Sequence, residues 1–313
     1  MDIISILCII ILICILLVFV RLFAAGGVNH SHRDLTHKVI VVTGGTHGMG
    51  RVLVEELSSS GAQIISMSRN DSLSNAVLQE IKSIHKDANL SHIHLDLNDL
   101  ASVKSAAIEL SNKVDHIDFL VNNAGIMYAP FGKTKQGYET QMGVNYLGHF
   151  LLTNLVLPMI EKCNGRVINY SSIMSLFYKQ TDFPFTIDEK EFSSMKCYCE
   201  SKLAMAMFAK QLSTKNNKIT TASLHPGGVN TSLFQFYPKI LVIIAHPLLR
   251  IVFKSPLEGV QTALHLIHEE NVTNGAYYAD CKVSKRRNKF LDDEKLLEKL
   301  WEESITAVKD FLN

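Results

Sequence analysis

Val39-Ile-Val-Val-Thr43-Gly44-Gly45-Thr46-His47-Gly48-Met49-Gly50 joins an unbroken run of apolar, mostly β-branched residues to a glycine-rich turn, and a helical periodicity from Met49 to Ser60 follows. A strand that ends in such a turn and feeds a helix brings backbone N–H groups and the helix N-terminus to one point, where they attract an anion. Glycine lets the chain turn tightly and approach a pyrophosphate closely. The spacing here is Gly-x-x-x-Gly-x-Gly rather than the common Gly-x-Gly-x-x-Gly, so the strand before and the helix after carry the reading. Gly44, Thr46, His47, Gly48, Met49 and Gly50 are the candidate phosphate contacts.

Outward from this turn, apolar β-rich runs recur at 63–68, 92–96, 119–122, 166–170 and 221–225. Helical patterns over 74–85, 100–114, 138–160 and 196–214 separate them. A last strand is expected at 275–280, then an amphipathic helix carrying Leu297, Leu300, Ile305 and Val308. Near-continuous apolar runs joined through helices predict a parallel sheet covered on both faces. The expected fold is α/β: residues 36–313 form a single doubly wound Rossmann-type parallel sheet with helices on both faces, preceded by an N-terminal transmembrane helix over residues 1–25.

That helix is expected because Ile3 to Val20 contains no charge and only Ser5 as a polar residue, long enough to approach the hydrocarbon core of a bilayer. A cleaved signal peptide is the alternative, but a basic leading segment is missing and only Asp2 precedes the run. Arg21, Arg33 and Lys38 follow the span, which places the remainder in the cytosol. Asn-x-Ser/Thr sequons include those at Asn29, Asn70, Asn89, Asn230 and Asn271, and glycans at Asn70 or Asn230 would obstruct the anion site, which argues for the same side. The 31 basic and 30 acidic residues leave a net charge of +1, so no nucleic-acid footprint is present. Six cysteines show neither metal-ligand nor disulfide spacing, and Cys197 and Cys199 suit a reduced compartment. The pairs His30/His32, His92/His94 and His265/His268 lack completing ligands, so no metal is expected and solvated or core roles are assigned to them.

Two features carry chemistry. Tyr198 and Lys202 stand four residues apart, on one face of a helix, where an ammonium favours ionisation of the phenol and brings it toward working pH. Met67-Ser68-Arg69-Asn70 ends the second strand in a cation, with no carboxylate until Asp71. An acid there would bind the ribose 2′-OH of NAD, whereas Arg69, with Ser68 beside it, suits the 2′-phosphate of NADP(H). Asp96, with Leu97 next to it, either accepts from an adenine amino group or caps a helix beginning near Asn98.

Thr43 to Gly50, Asn122-Asn-Ala-Gly125, Asn145, Tyr170-Ser-Ser172, Tyr198-x-x-x-Lys202 and Pro226-Gly227 occur in the order of the short-chain dehydrogenase/reductase family, and the chain resembles that family over nearly everything after the anchor. Leu120 to Met127, Val144 to Thr153 and Gly275 to Cys281 resemble its retinol dehydrogenase-like, membrane-anchored branch. The resemblance implies a tetrad in which Tyr198 gives a proton to a carbonyl oxygen, Ser172 holds that oxygen, Lys202 depresses the tyrosine and bonds the nicotinamide ribose, and Asn145 positions a water. Ser172 is preferred to Ser171, since neighbours at a strand end point to opposite sides. The resemblance also places Asn123, Ala124 and Gly125 behind the adenosine, Pro226, Gly227, Val229 and Thr231 by the nicotinamide, and a homodimer through helices flanking the site.

Residues 236–253 form an apolar stretch broken by Pro238 and Pro247, within a segment of about 228–256 in the family position of a substrate lid. It either admits lipid from the bilayer or is simply buried. The function expected is NADP(H)-dependent reduction of a carbonyl on a lipophilic substrate such as a retinoid, steroid or fatty aldehyde, by an enzyme of the endoplasmic reticulum or lipid droplets. The alternatives are oxidation of a lipid alcohol with NAD(P), or a membrane scaffold that retains the nucleotide fold.

Overall fold

The computed structural model describes residues 3–229 and 252–312. Strand β1 (Val39–Thr43) is buried along its whole length. Val39 and Val41 enter one apolar layer and Ile40 and Val42 the other, as the two-residue period of a strand requires. Both faces must therefore be covered. Helices α4 (Leu100–Lys113), α5 (Thr140–Glu161), α6 (Ser194–Lys215) and α8 (Glu294–Val308) pack on the first face. Helices α2 (Gly48–Leu57), α3 (Asp71–Ile84) and α7 (Pro256–His268) pack on the second.

The remaining strands are β2 (Gln63–Ser68), β3 (Asn89–His94), β4 (Phe119–Asn122), β5 (Arg166–Tyr170), β6 (Thr220–Leu224), β7 (Ala276–Ala279) and β8 (Lys282–Val283). Their order is β3-β2-β1-β4-β5-β6-β7-β8, parallel except for the antiparallel β8. The chain winds outward from β1 to β3 and returns to β4, so β1 and β4 are neighbours whose following loops lead to opposite faces. This divergence opens the crevice that a doubly wound sheet offers a ligand.

Three expectations need correction. β3 starts at Asn89 rather than His92, because it pairs with β2 from Gln63↔Asn89 to Ser68↔His94; it is an edge strand, and its polar Asn89 and Ser91 hide the strand pattern. α3 begins at Asp71, where the Asn70 side chain accepts from the Leu73 N–H and caps it. α7 went unread although Ser255-Pro256-Leu257-Glu258 spells a capping box with proline in the first turn.

Helix α1 (Ile3–Ala25) spans 23 residues, or about 35 Å, and exposes Leu12, Leu16, Phe19, Leu22 and Phe23. α5 has the length and composition to cross a membrane, but 72% of its most apolar 18-residue stretch is buried, as befits a core helix. The end of α1 and the segment after it run along α7: Arg21 pairs with Glu258 at 2.5 Å, the Asn29 N–H donates to Gln261 at 3.0 Å, and Ser31 donates to Glu269 at 2.8 Å. Most of the expected lid, 230–251, lies outside the described residues, but Val229 and Lys254 form a parallel bridge across its base.

Arg166, the buried first residue of β5, donates to the carbonyls of Leu266, Glu269 and Glu270 at the end of α7. Burial draws its pKa down to about 10, so it stays a cation facing the negative end of a helix. Arg166→Leu strands these carbonyls, and urea unfolding should show a loss of about 3 kcal/mol; a loss under about 1 kcal/mol would contradict this assignment.

Candidate active site

A cavity of about 710 Å³ opens at the carboxyl ends of β1 and β4. Every dinucleotide contact expected above lines it except Thr231, which lies outside the described residues. Gly44 adopts φ +72° to leave the strand. Gly50 lies so close beneath it that a Cβ there would fall 2.2 Å from the Gly44 carbonyl oxygen and 2.5 Å from Asn123 Nδ2. Side chains are thus excluded where α2 meets the turn, and the first N–H groups of α2 are held at the cavity wall.

The Thr43 hydroxyl stitches β1 to β4. Its oxygen accepts from the N–H groups of Asn123 and Ala124, each at 3.0 Å, and the Thr43 carbonyl accepts from Asn123 Nδ2 at 2.8 Å. The same hydroxyl lies 2.9 Å from Nε2 of His149, whose Nδ1 lies 3.0 Å from the Asn145 carbonyl. A carbonyl only accepts, so Nδ1 carries the proton and Nε2 accepts from Thr43. Burial holds His149 down to about 3, which keeps this tautomer neutral. Asn145 occupies a π turn, Gly143–Leu147, where the Gly148 N–H reaches back five residues to Gly143. Its side chain is spanned by the backbone of Ile126, accepting at 2.8 Å and donating at 3.0 Å, and also donates to Ser201, which donates to the Tyr198 carbonyl. A continuous path of hydrogen bonds therefore links the glycine turn to α6.

Tyr198 and Lys202 lie one turn apart on α6, both buried and both lining the cavity. Lys202 Nζ donates to the Tyr170 carbonyl at 3.1 Å. A Cβ on Gly125 would sit 3.1 Å from that Nζ and 3.2 Å from Asn145 Oδ1, so the ammonium and the amide converge behind Gly125. Both Ser171 and Ser172 line the cavity: Ser171 donates to the Lys202 carbonyl at 2.6 Å, whereas Ser172 accepts from the Met174 N–H at 3.2 Å and its hydroxyl acts on that of Tyr198.

The electrostatics differ from the sequence reading. Burial raises Tyr198 to about 12, against the lowering effect of the Ser172 hydrogen bond, and burial lowers Lys202 to about 8. Desolvation dominates both because they sit deep in the same cleft, where each charged form is disfavoured, and the Lys202 amine is directed to the Tyr170 carbonyl. Tyr198 is thus a protonated phenol at neutral pH.

At the far end of the cavity Arg69 is exposed. Ser74 donates to the Asn70 carbonyl at 2.8 Å, and the Ser68 hydroxyl lies 2.6 Å from that of Ser74 while lining the cavity. Asp96 accepts from the Asn98 N–H at 3.0 Å, but the cap of α4 is Asp99, so Asp96 shapes a turn and still lines the cavity.

The short chain dehydrogenase family matches residues 38–239. The chain belongs to that family. It is similar to retinol dehydrogenase 12 of Homo sapiens, 34% identical over 290 residues covering 90% of each chain, and is retinol dehydrogenase-like. It is similar also to the chloroplastic short-chain dehydrogenase TIC 32 A of Brassica napus, 33% identical, with 91% of this chain and 92% of that one covered. Among solved structures, a protein of Mycobacterium paratuberculosis aligns with TM-score 0.71 at 24% identity over 91% of this chain and 98% of that one. A short chain dehydrogenase from Escherichia coli complexed with NADPH aligns with TM-score 0.61 at 21% identity over 79% and 98%. These two share the fold. As a short chain dehydrogenase, the protein is an oxidoreductase acting on CH–OH groups and binding a nicotinamide cofactor.

His149 is the site residue that sequence reasoning passed over. Its signal was present: it stands one helical turn after Asn145, the spacing that lets a ring reach a carbonyl of the preceding turn. His149→Leu leaves the Asn145 carbonyl without this donor. Steady-state kinetics should show kcat reduced about tenfold or more, while dinucleotide Kd, measured by fluorescence, moves less than about threefold. His149→Gln, which can donate and accept, should recover part of kcat. Equal loss in both variants, or loss of binding in place of turnover, would contradict a positioning role.

Proposed function

We propose that the protein is a membrane-anchored, NADP(H)-dependent short chain dehydrogenase that reduces an aldehyde or ketone on a lipophilic molecule. The observation that carries this reading is the juxtaposition, on one cavity wall, of a protonated Tyr198, its Ser172 partner and the buried Lys202. The cavity suits a dinucleotide: a glycine turn at a helix N-terminus at one end, the Arg69 guanidinium beyond it, and the phenol at the other. A bound nicotinamide supplies the hydride. Ser172 and Tyr198 hydrogen-bond the carbonyl oxygen, and Tyr198 gives it a proton as negative charge develops. Lys202 stabilises the resulting phenolate and holds the nicotinamide ribose, while Asn145 fixes the turn behind Gly125 that shapes this wall.

The lipophilic substrate class is supported by the retinol dehydrogenase relatives and by the apolar stretch at 236–253. The anchor is supported by the length and apolar exposure of α1, and the cytosolic orientation by Arg21, Arg33 and Lys38. A protonated phenol favours the reductive direction, since it is already in the donating state.

Purified full-length protein should oxidise NADPH in the presence of one of retinal, a steroid ketone or a long-chain aldehyde. Tyr198→Phe should lower kcat by about 10²–10⁴-fold with NADPH binding retained; full activity in that variant would exclude Tyr198 as the acid and favour the scaffold reading. The pH dependence is also signed. Reduction needs the phenol, which persists below a pKa of about 12, and the Lys202 ammonium, which is lost as pH rises through about 8, so its kcat/KM should stay level from about pH 6 to 7. Oxidation needs the phenolate, whose fraction rises about tenfold per pH unit, so the reverse reaction should climb over that range. A reductive rate that falls across it would contradict the protonated state.

A further inference from the structure

We infer that Lys254 is a positioning residue: its ion pair with Asp280 clamps the loop Gly227 to Val229, a wall of the cavity, against Gly26 and Gly27 at the exit of α1. The inference rests on the reading of this cavity as the dinucleotide site and deepens it by naming what holds the wall remote from Arg69.

Four segments meet at one ion pair. The Lys254 side chain is 6% exposed, and its Nζ donates to Asp280 Oδ1 at 2.7 Å. A buried ammonium depends on such a partner, because an uncompensated charge there is costly. The turn between β7 and β8 delivers Asp280: Asp280 and Cys281 take φ of +49° and +59°, the paired left-handed residues of a two-residue hairpin. Burial opposes ionisation of its carboxyl, but the Lys254 hydrogen bond and charge hold it below the ordinary range.

On one side of the pair stands the loop after β6. Lys254 forms a parallel bridge with Val229, and its N–H donates to the Gly228 carbonyl at 2.7 Å. Gly227 adopts φ +91°, and a Cβ there would fall 2.9 Å from Lys254 Cε, so the lysine stem lies directly on the loop. On the other side stands the exit of α1. The Gly27 N–H donates to the same Asp280 oxygen at 3.3 Å, and a Cβ on Gly27 would fall 2.3 Å from the Asp280 carbonyl oxygen. A Cβ on Gly26 would fall 2.4 Å from Lys254 Nζ. Gly26 and Gly27 directly follow α1, so the end of that helix and a wall of the cavity share one fixed point. β6 stands four steps from β2 in the sheet, through β5, β4 and β1. That is about 19 Å at the usual strand spacing, so the clamped loop faces the half of a dinucleotide remote from Arg69.

The test is fluorescence titration of the full-length protein with whichever of NADPH and NADH binds more tightly, and competition by the adenosine half alone (adenosine 2′,5′-bisphosphate for NADPH, AMP for NADH). Lys254→Met keeps the length of the side chain and frees a half-exposed Asp280 to water; Gly27→Ala wedges the exit segment off the turn. Each should raise dinucleotide Kd about fivefold while the adenosine half stays within about twofold of wild type. The two effects should not multiply in the double variant, since both release the same junction. Unchanged dinucleotide Kd in Lys254→Met, effects that multiply, or equal weakening of dinucleotide and adenosine half overturns the inference while the reading of the cavity stands. A wild-type protein that binds neither dinucleotide overturns that reading, and the inference with it.

Discussion

One hydroxyl holds the two halves of this molecule in register. Thr43 ends β1 and uses all its capacity: two backbone N–H groups of the loop after β4 donate to its oxygen, and its proton goes to His149. Without that oxygen the two loops that form the crevice keep the bond from Asn123 Nδ2 to the Thr43 carbonyl but lose the side-chain anchor. The Ala124 N–H would lose its acceptor, at about 1–3 kcal/mol, while the Asn123 N–H would keep the Val121 carbonyl at 3.0 Å. The glycine turn, the floor at Asn123 to Gly125 and the π turn at Asn145 therefore move as one body, and the catalytic face of α6 joins them through Ser201.

Burial then sets the chemistry. Tyr198 and Lys202 occupy the same dry cleft, and each is pushed toward its neutral form: the phenol up to about 12, the amine down to about 8. At about 8 the amine is still mostly an ammonium at neutral pH, and that remaining charge is what can offset a phenolate formed during turnover. The neutral His149 beneath them adds rigidity without adding a charge.

Much of this was legible in the chain itself, for physical reasons that also explain the gaps. Val39 to Thr43, Phe119 to Asn122 and Arg166 to Tyr170 are buried on both faces, so their apolar runs have no competing explanation. β3 is less legible because an edge strand keeps polar residues, and its paired histidines read as surface or core residues until Asp71 is seen between them. His149 sits in Gly148-His-Phe-Leu-Leu, where an apolar setting suggests packing and conceals two hydrogen bonds. The direction of the Tyr198 shift was misread because spacing reveals that a lysine is near, whereas only packing reveals how little water either group retains. The bond of Ser68 to Ser74 is hidden in the sequence because it depends on the turn at Asn70.

The most direct test of the shared-body account is to replace the Thr43 hydroxyl and measure NADPH affinity and turnover together. Thr43→Val keeps the shape and removes the oxygen; both NADPH binding and kcat should fall by about tenfold or more, while Thr43→Ser keeps both near wild type. A Thr43→Val protein that binds and turns over like wild type would show that the crevice does not depend on this hydroxyl.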